Sequence, residues 1–189
     1  MLAGRELSLL RPPSADELID EDAFDEDEFL PYWAELWPSG LALARAVAVR
    51  DLRGARVLEL GAGLGLPSLA AALGGADVLA TDWAEDAVEL LWRNAERNEI
   101  ELRSERVRWD EAEPLLAEAP WTLVLGSDLL YEQRNADRLL ELLPQLGPEV
   151  LLADPRRPFT RGFLELAGTR WTIETETDGG VDLHVLRLR

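Results

Sequence analysis

The 189-residue chain has no cysteine, one histidine (His184) and no lysine, since all 19 of its basic residues are arginine. The first two scarcities exclude a disulfide framework, thiol nucleophiles and the usual Cys/His zinc sites, and no metal is expected. The third excludes a Walker-type phosphate lysine and Schiff-base or pyridoxal-phosphate chemistry. Long apolar runs are missing too. No stretch approaches the roughly 18 residues a membrane helix requires, and Met1–Pro13 carries charge where a signal peptide is apolar. A cytoplasmic protein without membrane contact is expected.

Positive charge is also short: 37 acidic residues against 19 arginines leave a net charge of −18 and a pI near 4.4. Such a field repels a phosphate backbone, so nucleic acid is not an expected partner, and it attracts cationic ligands. The excess is concentrated between Asp16 and Glu28, where nine acids occur without a base. That run reads as a solvated, flexible arm over residues 1–28, or as a lip that recruits a basic partner. Apolar residues make up 47% of the chain, enough for one core, and residues 29–189 read as a single domain.

From Phe29 onward, strand and helix periodicities alternate. Strands are expected at 56–60, 77–82, 106–109, 122–128 and 149–154. Helices are expected at 39–49, 67–73, 85–98, 135–146 and 159–167. The nearly continuous apolar character of the strands indicates a parallel sheet covered on both faces. Segments 171–177 and 181–188 flank Asp178-Gly179-Gly180 and form an antiparallel hairpin. The fold class is therefore α/β: a Rossmann-like, doubly wound, mostly parallel seven-stranded sheet ending in that hairpin.

Asp82, Asp128 and Asp154 stand at strand ends, where open α/β sheets bind ligands. The first strand runs into Glu59-Leu-Gly61-Ala-Gly63-Leu-Gly65 just ahead of a helix, a loop that lets backbone approach a ligand and offers it free N–H groups. Leu66 stands where a dinucleotide fingerprint has its last glycine. Asp82, at the end of the next strand, is where an acid would hold two ribose hydroxyls. Trp92, Trp121, Trp171 and His184 read as structural. The Arg156-Arg157 doublet reads as a solvated loop, or as a clamp on an acid of the substrate or the arm.

The Glu59-x-Gly61-x-Gly63-x-Gly65 loop followed by Thr81-Asp82 resembles the cofactor signature of class I, seven-strand S-adenosylmethionine-dependent methyltransferases. Two further segments, Pro31-Tyr-Trp-Ala-Glu-Leu-Trp-Pro-Ser-Gly40 and Ser127-Asp128-Leu-Leu-Tyr131, are similar to those of the small protein-lysine methyltransferases with an Asp-x-x-Tyr motif. The resemblance covers residues 29–189. It implies that Gly61, Gly63 and Gly65 bring backbone against the methionine part of the cofactor, with Glu59 orienting the loop or meeting its amino group. Asp82 would accept from the ribose diol, Trp83 and Trp109 would flank adenine, and Asp110 would accept from its amino group. Trp33 and Trp37 would wall the methyl-transfer channel. Asp128 and Tyr131 would face the sulfonium and the incoming nucleophile, with Asp128 counted among both the cofactor-binding and the catalytic residues. The implied partner is a basic or lysine-bearing protein. A small amine or nicotinamide-like acceptor is the alternative, and a non-catalytic cofactor-binding module the third reading.

Overall fold

The computed structural model describes residues 4–12 and 32–189, so the acidic run Asp16–Glu28 lies outside the described residues. Seven strands form one sheet in the order β3-β2-β1-β4-β5-β7-β6. They are β1 (Arg56–Leu60), β2 (Asp77–Asp82), β3 (Arg103–Arg106), β4 (Leu123–Ser127), β5 (Glu149–Asp154), β6 (Trp171–Asp178) and β7 (Val181–Leu188). Strands β1 to β5 run parallel and β7 is antiparallel to both its neighbours. The expected architecture is therefore present. The hairpin turns on Gly179 and Gly180 alone, both with positive φ, as a two-residue connection between twisted strands requires.

The helices are α1 (Pro38–Ala48), α2 (Leu66–Leu73), α3 (Glu85–Arg97), α4 (Glu113–Ala117), α5 (Gln133–Leu146) and α6 (Thr160–Ala167). Helices α1 and α2 bury Leu43, Val47, Leu66 and Ala70 against Val57, Leu125 and Leu151 of the sheet, and α3 adds Leu91 and Ala95 on that side. Helices α4 to α6 cover the other face, where Leu139, Leu143 and Phe163 pack on Leu58, Val124 and Leu152. At about 25 cal/mol per Å² of apolar surface, burying such side chains on both faces is the main stabilising term. Trp121 and Trp171 are in this core, whereas Trp92 is 52% exposed on α3. His184 is buried on β7 with Nδ1 2.8 Å from the Thr175 hydroxyl.

One strand departs from expectation. Residues 106–109 were expected to form the third strand, but β3 is Arg103–Arg106 and Trp109–Glu111 is a 3-10 turn. An edge strand pairs on one side only and need not be apolar; β3 has no hydrophobic residue. Val107, the first apolar residue of the expected strand, drops into the core below the sheet edge. Helix α4 and the 3-10 turn at Tyr32–Ala34 were also not foreseen.

Residues 4–12 lie along α3. Asn98 Oδ1 accepts from Ser8 N (2.9 Å) and Asn94 Oδ1 from Leu10 N (2.6 Å), while the two amide NH2 groups return bonds to the carbonyls of Ser8 and Leu10. Leu7 and Leu9 pack beside Leu69, Ala95 and Ile100.

Candidate active site

Strand order reverses between β1 and β4, so the loops leaving them diverge and open a crevice at the sheet's carboxyl edge. The cleft there has a volume of about 760 Å³. It is lined by Gly61, Gly63, Gly65, Asp82, Trp83, Trp109 and Asp110 on the β1–β2 side, and by Ser127, Asp128, Tyr131 and Arg157 on the β4–β5 side. Tyr32, Trp33 and Trp37 reach over it from the segment before α1. All of the expected site residues except Glu59 thus line one cavity.

Glu59 lies beneath it. Its Oε2 accepts from Ser68 N (2.8 Å) and from the Ser68 hydroxyl, tying the strand to the first turn of α2, while Oε1 has no hydrogen-bond partner. Complete burial raises its carboxyl from 4.5 to about 8, against the opposing effect of the Ser68 bonds. Its bonds to Ser68 act on the start of α2, and Glu59 is not among the residues that line the cleft. The glycine loop is held down from the other strand: Asp82 Oδ2 accepts from Gly63 N at 2.9 Å and Oδ1 from Ala84 N at 3.1 Å. Burial pushes the Asp82 carboxyl above its ordinary range, again against those main-chain bonds.

Close approach explains the glycines only in part through a ligand. A Cβ at Gly65 would stand 2.6 Å from Leu91 Cγ and one at Gly61 2.8 Å from the terminal Leu129 Cδ2, so the protein's own packing opposes a side chain at Gly65 and, less firmly, at Gly61. A Cβ at Gly63 would meet the Trp33 carbonyl at 3.1 Å, where the segment before α1 crosses the loop. All three have positive φ, which favours glycine.

The residues present fit S-adenosylmethionine. Asp82 presents a buried carboxylate whose oxygens keep lone pairs for a diol, the indoles of Trp83 and Trp109 are half-buried at the wall, and the exposed Asp110 carboxylate stands at the rim. The guanidinium of Arg108, bonded to Asp110 at 3.1 and 3.2 Å, keeps that carboxyl below its usual range.

At the other end Asp128 adopts the left-handed conformation (φ 58°), a strained position for a non-glycine residue, fixed by its N–H on Ala153 O (2.8 Å). Asp128–Tyr131 is a turn preceding α5 rather than the beginning of a helix. The Tyr131 ring lies 5.6 Å from Tyr32, which in turn lies 6.3 Å from Trp37. Burial raises the Tyr131 phenol, with the Asn135 side chain bonded to it working the other way, so the hydroxyl is a neutral hydrogen-bonding group. The Arg156-Arg157 doublet is a clamp, but on acids of the sheet edge: Arg156 binds Asp182 and Arg157 binds Asp128. Sequence reasoning did not find that second pair, nor Tyr32 as a wall of the cleft. Tyr32 stands in the aromatic segment already singled out, whereas no local pattern connects Asp128 to Arg157.

A glycine loop under a carboxylate-ended second strand, on a 3-2-1-4-5-7-6 sheet, defines a class I methyltransferase that uses S-adenosylmethionine. The chain belongs to the lysine methyltransferase family, whose model matches residues 24–158. Similar curated proteins include protein N-lysine methyltransferase METTL21A of Danio rerio, 34% identical over 82% of this chain and 76% of that protein. The electron transfer flavoprotein beta subunit lysine methyltransferase of Xenopus laevis is 38% identical over 67% of this chain, which spans about half of that relative (53%). Among solved structures, the fold is shared with the T. thermophilus 16S rRNA N2 G1207 methyltransferase RsmC in complex with AdoMet and guanosine. The TM-score is 0.67 at 22% identity, over 82% of this chain and 44% of that one. No helix among the described residues is long and apolar enough to cross a membrane.

Proposed function

We propose that the protein transfers a methyl group from S-adenosylmethionine to the side-chain nitrogen of a lysine on another protein. The observation that carries this reading is the acceptor end of the cleft, which the neighbouring rings of Tyr32, Trp37 and Tyr131 line together with Asp128. Aromatic faces suit a lysine side chain that approaches as an ammonium and, after losing a proton and gaining a methyl group, leaves as a cation again, each face contributing about 0.5–2 kcal/mol where it meets the charge. Tyr32 and Leu36, 45% and 43% exposed at the rim, offer apolar contact to a docked chain.

The cofactor supplies a methyl group on a sulfonium, a carbon already activated, and the protein's part is alignment and exclusion of water. In this reading the backbone of Gly61, Gly63 and Gly65 lies along the methionine part, Asp82 accepts from the ribose, and Trp83, Trp109 and Asp110 hold adenine. Trp33 and Trp37 wall the channel. Asp128 and the Tyr131 hydroxyl orient the amine as catalytic residues. The nine acids of the run Asp16–Glu28 attract a basic face of the substrate, and a cytoplasmic location is part of this reading.

The test is incubation of the protein with labelled S-adenosylmethionine and a lysate of its source, followed by identification of the labelled residue. Label on a lysine of one protein is expected. Label confined to a small amine, to arginine or to nucleic acid overturns the assignment of the acceptor.

A further inference from the structure

Asp128 is 8% exposed, and both its oxygens are engaged by one partner. Arg157 Nε donates to Oδ1 at 2.6 Å and Nη2 to Oδ2 at 2.9 Å, a two-pronged ion pair across the loops that follow β4 and β5. The same guanidinium lies 6.0 Å from the Trp37 ring. Its main chain is fixed as well: Arg157 N donates to Asp154 Oδ1 at 2.8 Å, and Thr160 Oγ1 donates to the same atom at 2.6 Å. Arg156, one residue earlier in the left-handed conformation (φ 67°), is turned toward Asp182. The backbone of this loop thus separates two adjacent arginines and aims only the second at the cleft.

A lysine in water has a pKa of about 10.4, so it reaches an enzyme at neutral pH as an ammonium with no free lone pair. A lone carboxylate beside it would bind the ammonium well and hold its proton on, by about 1–3 pKa units. A carboxylate whose charge is cancelled by a guanidinium does not, yet its oxygens retain lone pairs to accept an N–H.

We propose that Arg157 is a positioning residue for methyl transfer: its fork fixes both oxygens of Asp128 and cancels their charge, so that Asp128 orients the acceptor nitrogen without trapping it as an ammonium. The proposal rests on the lysine-directed reading of the cleft. In the step it serves, the acceptor nitrogen first gives a proton to solvent, and its lone pair then forms the N–C bond to the methyl carbon. The electron pair of the broken S–C bond stays on sulfur, and the positive charge passes to nitrogen. Among the described residues, Asp154 from the end of β5 and Tyr32 from the segment before α1 also act on the Arg157 guanidinium, and Tyr131, Asp82, Glu35, Glu132, Arg134 and Arg138 line the same cleft.

Two measurements on Arg157→Met test this, with Arg157→Lys as the variant that keeps the charge but not the fork. In single-turnover methylation at saturating acceptor, the rising limb of the pH profile should move about one unit upward in Arg157→Met. The rate should then fall about tenfold at every pH below the limb, the deficit closing only as the pH passes the shifted limb, without a rise in KM for the acceptor, and Arg157→Lys should restore part of the shift. Calorimetric titration supplies a readout that needs no acceptor. Uncovering the charge of Asp128 should raise the preference for cationic S-adenosylmethionine over neutral S-adenosylhomocysteine by about tenfold.

A slower rate with an unmoved pH profile would reduce Arg157 to a loop-shaping residue and overturn the proposal. A lower KM with an unmoved profile would also overturn it, by making the guanidinium a mere occupant of the acceptor's place. An unchanged preference between the two cofactor forms in both variants overturns it whatever the acceptor proves to be. A shifted preference with label found elsewhere than lysine overturns only the reading of the acceptor.

Discussion

The two halves of the sheet's carboxyl edge differ in the partners of the acids that face the cleft or its loop, although Asp154 also takes a main-chain N–H. On the β1–β2 side, carboxylates bind main-chain N–H groups: Glu59 the first turn of α2, Asp82 the glycine loop and the start of α3. On the β4–β5 side, the central bond joins two side chains, Asp128 and Arg157. The first kind fixes shape, because a peptide N–H moves only with its backbone. The second fixes charge, because it sets the potential at one point of the cleft while the chain around it stays in place. Loss of the cofactor should therefore follow changes to the β1–β2 loop, whereas methyl transfer and the choice between charged and neutral cofactor forms should follow changes in charge at Asp128.

The largest effect separating the halves is expected from Gly63→Arg. A side chain there has to form on a left-handed backbone 3.1 Å from the Trp33 carbonyl, and calorimetry should show cofactor affinity lost by more than ~100-fold with the fold retained. Asp82→Ala should act in the same direction by releasing both main-chain bonds. Wild-type affinity in both variants would remove the loop from the cofactor site.

On the other half, Asp128→Asn and Tyr131→Phe should each lower the single-turnover rate by about 10²–10⁴. Tyr131→Phe should leave cofactor affinity unchanged. A near-normal rate for Tyr131→Phe would make its hydroxyl a packing group.

A smaller effect, on stability, is expected for Glu59. Its carboxyl is raised in the fold from 4.5 to about 8, so it contributes fully below pH 4.5 and progressively loses that contribution as the pH climbs to about 8. Urea unfolding between pH 5 and 8 should show wild type losing stability more steeply than Glu59→Gln, by up to ~1.4 kcal/mol per pH unit. Parallel slopes would mean that Glu59 is ionised in the fold.

The smallest effect belongs to Arg156. Its side chain is 64% exposed and its bond to Asp182 is screened by water, so Arg156→Ala should cost less than ~1 kcal/mol and leave methyl transfer intact. Loss of activity comparable to that of Arg157→Met would erase the distinction between the two arginines.

Most of the β1–β2 half is legible in the sequence, because its determinants are consecutive: an apolar strand, three glycines, a second strand ending in Asp82. The β4–β5 half is legible only up to Asp128 and Tyr131. Arg157 follows Asp128 by 29 residues across α5 and β5, and it is the sheet that brings the two loops together. The third strand was misplaced because Val107 and Trp109 carry the apolar signal, although one is a core anchor below the edge and the other a wall of the cleft. Arg103 to Arg106 pair with β2 through backbone alone, which composition does not report.

The N-terminal segment on α3 joins two repeats of nearly equal length. Four residues of helix advance about 6 Å and two of extended chain about 6.6 Å, so Asn94 and Asn98 meet Ser8 and Leu10 in step, like the marks of a vernier. A slip of one residue breaks both amide pairs at once and turns Leu7 and Leu9 away from Leu69 and Ile100. The segment therefore has a single phase on the helix. Because Asn94 Nδ2 also donates to the Leu64 carbonyl at 3.3 Å, that phase extends into the back of the glycine loop.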